Sequence, residues 1–434
     1  MRTLLACILG LLPFAFFAGS RAADSAALQY HIYAGNTHSH TAFTWSHGAQ
    51  YSNNGCAGIR VYGKTPRTAD LYEWNDGYVK TNGKCPAIYV INFWQYPSSD
   101  ITLKSDWQNF QGPPSKHFEL AKAAGFDFDT VTDHSQEAVF SPPGPDNAAW
   151  KEVKQQAAQA TDANFVALAG FEFSENDSSG GTGHLNVINS DSILNAYEPA
   201  NDLAHFYKWL ETAKPNGSGP VVASFNHPAK DQYNDWAYRD PQVTDILTML
   251  EVINSNNKIH YDAFIAALDK GWKVSPVSGL DNHGTQGIAK GVSRTFVLAQ
   301  SKTKAAILDA MKNRRTYAAL DKNIQCKYTV NGAIMGSTLN RPDAFNFDIV
   351  ISDPDTSNPN EKITKIDIVG DGGTVVQSYS VPNPAYSVEW KPAIHDSTNK
   401  YFFVRVWNAG GGDAPGADPA KPAAWLAPVW TGRL

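Results

Sequence analysis

Apolar and polar positions follow two rhythms along this chain, and the change between them falls near residue 320. From Lys116 to Arg314, short apolar runs of strand length alternate with stretches carrying apolar residues at three- and four-residue spacing, the helical period. Ser115 stands where it can cap a helix over Lys116–Ala124, Gly125 ends that helix, and Phe126–Val131 follows as a strand. The same reading gives helices over Ala148–Ala163, Asp202–Ala213, Tyr261–Lys270 and Thr303–Arg314, and strands over Phe165–Phe171, Val221–Phe225 and Trp272–Val277. Leu28–Tyr33 supplies a first strand. Strands alternating with helices at this spacing predict βα units around a parallel sheet.

Beyond residue 322 the helical period disappears. Gln325–Val330, Phe345–Ile351, Ile363–Val369, Thr374–Tyr379, Tyr386–Trp390 and Phe402–Trp407 are short strands separated by turn residues, which predicts a small all-β sandwich over 322–434. Between about 48 and 114 neither period is clear. A segment this long without regular pattern reads as an insertion or lid, with Tyr51, Tyr62, Tyr72, Trp74, Tyr78, Trp94 and Tyr96 either lining a pocket or packing onto the scaffold.

The N-terminus changes the picture of where the protein works. Arg2, the apolar run Leu4–Ala18 interrupted by Pro13, and Ser20-Arg21-Ala22 read as a secretory leader over residues 1–22, too short for a membrane span. A periplasmic or secreted protein without stable membrane insertion is therefore expected. Loss of the leader moves the formal net charge from −6 to −8, since Arg2 and Arg21 leave with it. An acidic body without a basic cluster argues against a general nucleic-acid binder. In an oxidising compartment Cys56 and Cys85 are placed to pair, while Cys326 alternates with Ile324 and Tyr328 as a buried free thiol.

The candidate chemistry stands at the ends of the apolar runs. His38-Ser39-His40 comes after the first strand, and two side chains two apart on an extended chain point the same way. Phe126–Val131 leads to Asp133-His134, Phe165–Gly170 to Glu172, Val221–Phe225 to His227, and Lys273–Leu280 to Asp281 and His283. With His184, six of the 12 histidines stand in this series. Any one of them is readily a structural histidine, but repeated occurrence at strand ends predicts one site where the loops converge. Imidazole and carboxylate are ligands for zinc, manganese or iron.

Thr37-His38-Ser39-His40-Thr41, Val131-Thr132-Asp133-His134, Gly170-Phe171-Glu172, Asn226-His227-Pro228 and Asp281-Asn282-His283 resemble, in order and context, the motifs of the polymerase and histidinol phosphatase (PHP) superfamily of metal-dependent hydrolases. The likeness covers roughly residues 30–320. Gly183–Ile188, Arg314–Ala318, Val330–Gly336 and Trp425–Trp430 look similar to the secreted branch related to carbaryl hydrolases. The resemblance implies a distorted (β/α)7 barrel over 23–321 followed by the C-terminal β domain, and two or three divalent ions. It implies that His38, His40, Glu172 and Asp281 hold one ion, and that Glu172 shares a second with His184 and His227. A third would use His134, His283 and, at a looser spacing, His47. Asn36 stands where the family commonly has an aspartate, and would steady a ligand histidine.

The reaction expected is hydrolysis by water activated on the ions, with Glu172 bridging them, Asp133 orienting a ligand, and Arg294 or Lys290 receiving an anionic group. The substrate expected is a small-molecule ester: a phosphate mono- or diester, or alternatively a carbamate or carboxylic ester. A third reading is a non-catalytic binding protein that keeps the barrel as a scaffold.

Overall fold

The computed structural model describes residues 29–44, 51–53, 56–59, 101–103, 112–174, 183–196, 202–414 and 416–433. Residues 1–22, His47, Cys85 and most of the segment 48–114 lie outside the described residues. From the insertion, Tyr51–Asn53, Cys56–Ile59 and Ile101–Leu103 form a three-stranded patch.

Nine strands build the part of the main sheet that matters for the site: β1 (His31–Asn36), β2 (Phe128–His134), β3 (Val166–Ser174), β4 (His184–Ile188), β5 (Val222–Asn226), β6 (Leu247–Asn254), β7 (Ser275–Ser278), β8 (Arg294–Ala299) and β9 (Thr316–Ala319). Their hydrogen-bonded order is β7-β6-β5-β4-β3-β2-β1-β8-β9. The expected parallel arrangement holds only in part. β1–β2, β2–β3, β5–β6 and β6–β7 are parallel, whereas β3–β4, β4–β5, β1–β8 and β8–β9 are antiparallel. The sheet is mixed although the helices Leu203–Thr212 and Lys304–Lys312 lie in the antiparallel β4–β5 and β8–β9 connections, so a helix between two strands does not by itself make them parallel neighbours.

Backbone ladders among the described strands do not close the sheet into the expected (β/α)7 barrel: none joins β7 to β8 or β9. Threonine hydroxyls bridge that seam instead. Ser278 N donates to Thr295 Oγ1 (2.7 Å), Thr295 Oγ1 donates back to Ser278 O (2.9 Å), and Thr316 Oγ1 donates to Pro276 O (2.9 Å). Side-chain hydroxyls substitute here for the ladder that closure would have supplied.

The helices form much where the pattern places them. Asn147, Asp202 and Thr303 cap the helices Ala148–Ala160, Leu203–Thr212 and Lys304–Lys312 through their side chains. Ser115 is not a cap. The first helix begins earlier, at Pro114, whose missing N–H costs nothing in the first turn. Among the described residues no helix is long and apolar enough to cross a membrane.

Strand periodicity separates the two faces. Ala167, Ala169, Phe171 and Phe173 of β3 join Leu185, Val187 and Phe225 in a core against the outer helices. Val166 and Leu168, on the other face, meet Phe128, Ile188, Val222, Met249 and the helix Lys304–Lys312 in a second core at the base. Each such fully buried aliphatic side chain contributes roughly 1.5–3 kcal/mol. Continuing along this inner face, residues turn polar: Val166, Leu168, Gly170, Glu172 on β3; Val222, Ser224, Asn226 on β5; Met249, Glu251 on β6. Antiparallel β4 reads backwards, Ile188, Asn186, His184. The inner face is thus an apolar plug at one end and a polar cup at the other.

The C-terminal strands form two sheets about a third core, with Tyr328, Phe345, Ile366, Phe402 and Val404 buried between them. One sheet contains Gln325–Val330 and Ala344–Ser352. The other, with Ala424–Leu426, Tyr401–Asn408, Ile363–Val369 and Val375–Ala385, continues the main sheet through β9. Tyr317 and Ala319 of β9 and Phe296 and Leu298 of β8 lie in this third core. Cys326 is buried and free.

Candidate metal centre

The cup gathers His38, His40, His134, Glu172, His184, His227, Asp281 and His283. His38 and His40 follow β1, His134 and Glu172 sit within the last turns of β2 and β3, and His184 opens β4. His227, Asp281 and His283 come from the loops after β5 and β7. His227 and Asp281 hold positive φ angles of 31° and 47°, strained for residues with a Cβ. Their N–H groups show what fixes them: His227 N donates to Glu251 Oε2 (2.7 Å) and Asp281 N donates to His38 O (2.9 Å).

Glu172 is central and 1% exposed. Its Oε1 lies 3.2 Å from His184 Nδ1, 3.2 Å from His227 Nε2 and 3.5 Å from His38 Nε2. Its Oε2 lies 3.0 Å from His134 Nε2 and 3.6 Å from His40 Nε2. Asp281 Oδ1 is 3.0 Å from His40 Nε2, 3.6 Å from His38 Nε2 and 3.8 Å from His283 Nδ1. Three sets have mutually close ligand atoms: His38, His40 and Asp281; Glu172, His184 and His227; His40, His134 and His283.

These donors fit divalent ions. Ligand atoms about 2.0–2.1 Å from a common ion stand about 2.9–3.4 Å apart in octahedral or tetrahedral order; four of these eight separations lie in that range and the others are within about 0.4 Å of it. His38 Nε2 and His40 Nε2 face each other at 3.0 Å, an unfavourable meeting of lone pairs unless a cation or proton lies between them. Glu172 Oε2 and His184 Nδ1 are buried without a well-formed hydrogen bond, although charged partners lie within 3.2 Å.

The tautomers are prepared from behind. His38 Nδ1–H donates to Glu251 Oε1 (2.8 Å), leaving Nε2 to face the cup. His40 Nδ1–H donates to Thr44 Oγ1 (3.2 Å), whose hydroxyl donates to Asp133 Oδ1 (2.7 Å). Asp133 also accepts from Thr41 N (2.6 Å) and Thr41 Oγ1 (2.7 Å), so it anchors the turn behind His40 and touches no space in the cup. Gly279 is needed behind Glu251, since a Cβ there would collide with Glu251 Oε1 and His38 Cβ.

Charge in the cup is divided. Burial lowers His38, His134 and His227, but Glu251 and Glu172 outweigh it at His38, and Glu172 outweighs it at His134 and His227. All three imidazoles are therefore raised above the ordinary value. Burial opposes ionisation of Glu172, but His184, His38 and His134 outweigh it and hold the carboxyl well below its usual range. Asp281 is likewise buried and held low by His38 and His40. Burial, reinforced by His283 and His134, keeps His40 well below the ordinary imidazole value, and burial lowers His283 to about 4 against the pull of Asp281. Both present lone pairs at neutral pH. The floor of the cup is buried, while the side chains of His184, His227 and His283 are 24, 27 and 28% exposed at the rim. Asp281 and His283 also line a cleft of about 770 Å³, together with Asn254, Ser255, Gln286 and Lys290.

Two sequence-derived candidates sit elsewhere. Arg294 is 3% exposed; its guanidinium donates to the carbonyls of Gly291 (2.8 Å) and Ser293 (3.0 Å) and stacks 3.7 Å from the Phe126 ring. The structure does not bring it to the cup. Lys290 is exposed on the cleft wall. Asn36 steadies the backbone, donating to His38 O (3.0 Å) and Asp129 Oδ1 (2.9 Å) and accepting from Leu280 N (2.9 Å). Glu251 is missing from the sequence-derived candidates, although one carboxylate in the apolar run Met249-Leu250-Glu251-Val252-Ile253 signals a buried charge that needs partners.

Asp129 yields a stability test. Burial pushes its carboxyl up to about 7 despite the hydrogen bond from Asn36. A folded value above the unfolded one means that folding binds a proton, so stability falls as pH rises from about 4 to about 7. Asp129→Asn removes that charge, and its advantage in urea unfolding should grow by on the order of 2 kcal/mol between pH 5 and pH 8. A constant difference across this range would contradict the assignment.

No family model matches the sequence, and no curated protein matches it. Among solved structures, the chain is similar to a two-domain protein of Bacteroides vulgatus described as containing a predicted PHP-like metal-dependent phosphoesterase, at 15% identity over 92% of this chain and 95% of that one, with a TM-score of 0.41. PsfC of Pseudomonas syringae matches 46% of this chain and 80% of its own at 14% identity and a TM-score of 0.32. A candidate metal-dependent phosphoesterase of Bifidobacterium adolescentis matches 41% of this chain and 84% of its own at 14% identity and a TM-score of 0.24.

Proposed function

We propose that this chain is a metal-dependent hydrolase of phosphate mono- or diesters. The observation that carries the reading is the division of Glu172, with one oxygen facing His184, His227 and His38 and the other facing His134 and His40. A carboxylate placed this way would bridge neighbouring ions. Divalent ions held there would supply water of lowered pKa and positive charge opposite the developing charge on the ester oxygen. The residues of the chain do the rest. Glu251 and the Thr44–Asp133 pair hold the protons of His38 and His40 at Nδ1, away from the cup. Substrate would enter past Asp281 and His283, which line the cleft, and Lys290 on the same wall would meet its anionic group. Removal of residues 1–22 on export would place this activity in the periplasm or outside the cell.

The test is a metal-reconstituted screen of aryl phosphates, bis-aryl phosphates and aryl carbamates in parallel, with metal content measured on the same samples. Phosphoester turnover that is abolished by chelation and restored by zinc, manganese or iron is expected. Turnover of carbamates alone would sink the phosphoester reading. Absence of both bound metal and turnover would leave a binding protein.

Lys290 supplies a sharper discriminator. Because it is an exposed cation on the cleft wall, Lys290→Ala should raise KM for anionic phosphate esters about three- to tenfold at low salt, with kcat little changed. Neutral carbamates should show no such effect.

A further inference from the structure

A second group of ligand-type side chains lies away from the histidine cup. Asp321 sits in the turn after β9, Asp353 just past Ala344–Ser352, and Glu361 ends the single turn Pro359–Glu361 before Ile363–Val369. One oxygen from each lies within 4.8 Å of the others, and the residues are 1, 3 and 2% exposed. Asp321 is the middle member, its carboxyl lying against those of both Asp353 and Glu361.

Each carboxylate is held by donors on one side only, or by neutral amides. Asp321 Oδ1 accepts from Asn323 N and Ile324 N, both at 2.8 Å, and Asp353 Oδ1 accepts from Asp355 N at 2.8 Å. Glu361 accepts from Asn358 Nδ2 (2.7 Å) and Asn408 Nδ2 (2.9 Å). The other oxygens of the two aspartates, Asp321 Oδ2 and Asp353 Oδ2, are buried and receive no hydrogen bond from outside the three carboxyls. No lysine or arginine among the described residues forms an ion pair with any of the three, and Arg294 attracts Asp321 only through space. Asp413 adds a further negative charge to the surroundings of Asp321 and Glu361.

Three carboxylates buried together without a counter-ion repel one another and lose hydration, and bare buried oxygens forfeit what water would have given them. Burial and mutual repulsion raise Asp353 to about 7 and Glu361 to about 8. A cation removes both costs. The donor set is oxygen only, unlike the nitrogen-rich cup, and that chemistry selects a hard ion such as calcium over zinc.

We propose that Asp321, Asp353 and Glu361 form a calcium-binding site, separate from the histidine centre, that ties the turn after β9 to both sheets of the C-terminal sandwich. Its role is structural. The ion would join three segments that otherwise repel at the place where the main sheet runs into the sandwich.

The test uses the full chain, dialysed and titrated with calcium chloride by calorimetry and thermal unfolding. Calcium at about a hundred times its dissociation constant should raise Tm by about 3 °C, with one ion bound per chain. Glu172→Gln, which alters only the histidine centre, should keep that ion and that shift. Asp353→Asn and Asp321→Asn should lose both, and their Tm without calcium should equal or exceed that of the parent because one buried charge is gone. Failure of the parent chain to bind calcium at millimolar concentration overturns the proposal. So does retention of the shift in both aspartate variants, or its loss in Glu172→Gln. Should an aspartate variant not fold, the calcium shift of the parent and of Glu172→Gln still decides.

Discussion

Glutamine in place of Glu172 is expected to lower kcat/KM for an aryl phosphate by about 10³-fold, or about 4 kcal/mol of transition-state stabilisation. The reason is the two-sided position of this carboxylate. Oε1 is within 3.5 Å of three imidazole nitrogens and Oε2 within 3.6 Å of two more. An amide of the same shape keeps one acceptor and turns the other side into a donor, so only one of the two sets retains its oxygen ligand. It also removes the negative charge that the buried imidazoles surround. Metal analysis of the same variant should show one ion fewer per chain. Unchanged metal content, with kcat/KM within tenfold of the parent, would end the bridging assignment. The fold is expected to survive, since the base of the inner face is held by Phe128, Val166, Leu168 and Val222, remote from the cup.

The ligands at the ends of parallel strands are legible in the sequence because an apolar run ending in His or Asp/His states both the strand and its polar end. His134 and Glu172 follow that rule, since residues two apart on β2 and β3 share the inner face. His184 obeys a different one. β4 runs antiparallel to β3 and β5, so its ligand stands at the start of the strand and no apolar run announces it. The sheet reads as parallel because helices between strands are visible, but helices also lie in the antiparallel β4–β5 and β8–β9 connections, so a helical period does not state strand direction. Closure rests on likeness, and backbone pairing at the β7 seam depends on strand positions that no local pattern encodes. Arg294 shows the limit of reading charge as function. Its place just after the last ligand loop suggests an anion receptor, but β8 carries it inward to carbonyls and the Phe126 ring. The strands of the sandwich are readable from alternation alone, whereas the pairing of Ala424–Leu426 with β9, which makes one sheet of two regions, is a long-range choice.

Glu251→Gln is expected to weaken metal binding 10- to 100-fold without touching an ion. Glu251 is fully buried and accepts on both oxygens: His38 Nδ1–H on Oε1, His227 N and Asn254 Nδ2 on Oε2, at 2.8, 2.7 and 2.8 Å. Glutamine has one acceptor for these two sides. With its amide nitrogen toward His227 and Asn254, donors face donors, and the strained backbone of His227 loses its clamp. With the nitrogen toward His38, the imidazole must accept at Nδ1 and carry its proton on Nε2, where a ligand lone pair is needed. Either rotamer damages one ligand, His227 in the first case and His38 in the second. A purely structural role for Glu251 would lower thermal stability and leave the dissociation constant for metal unchanged. The positioning role predicts the reverse weighting: a metal dissociation constant raised about 10- to 100-fold, and activity recovered at saturating metal with KM near that of the parent. Aspartate is a shorter carboxylate that keeps both acceptors, so Glu251→Asp should bind metal more tightly than Glu251→Gln. If the two variants bind metal equally, the hydrogen bond to His38 does not set the tautomer.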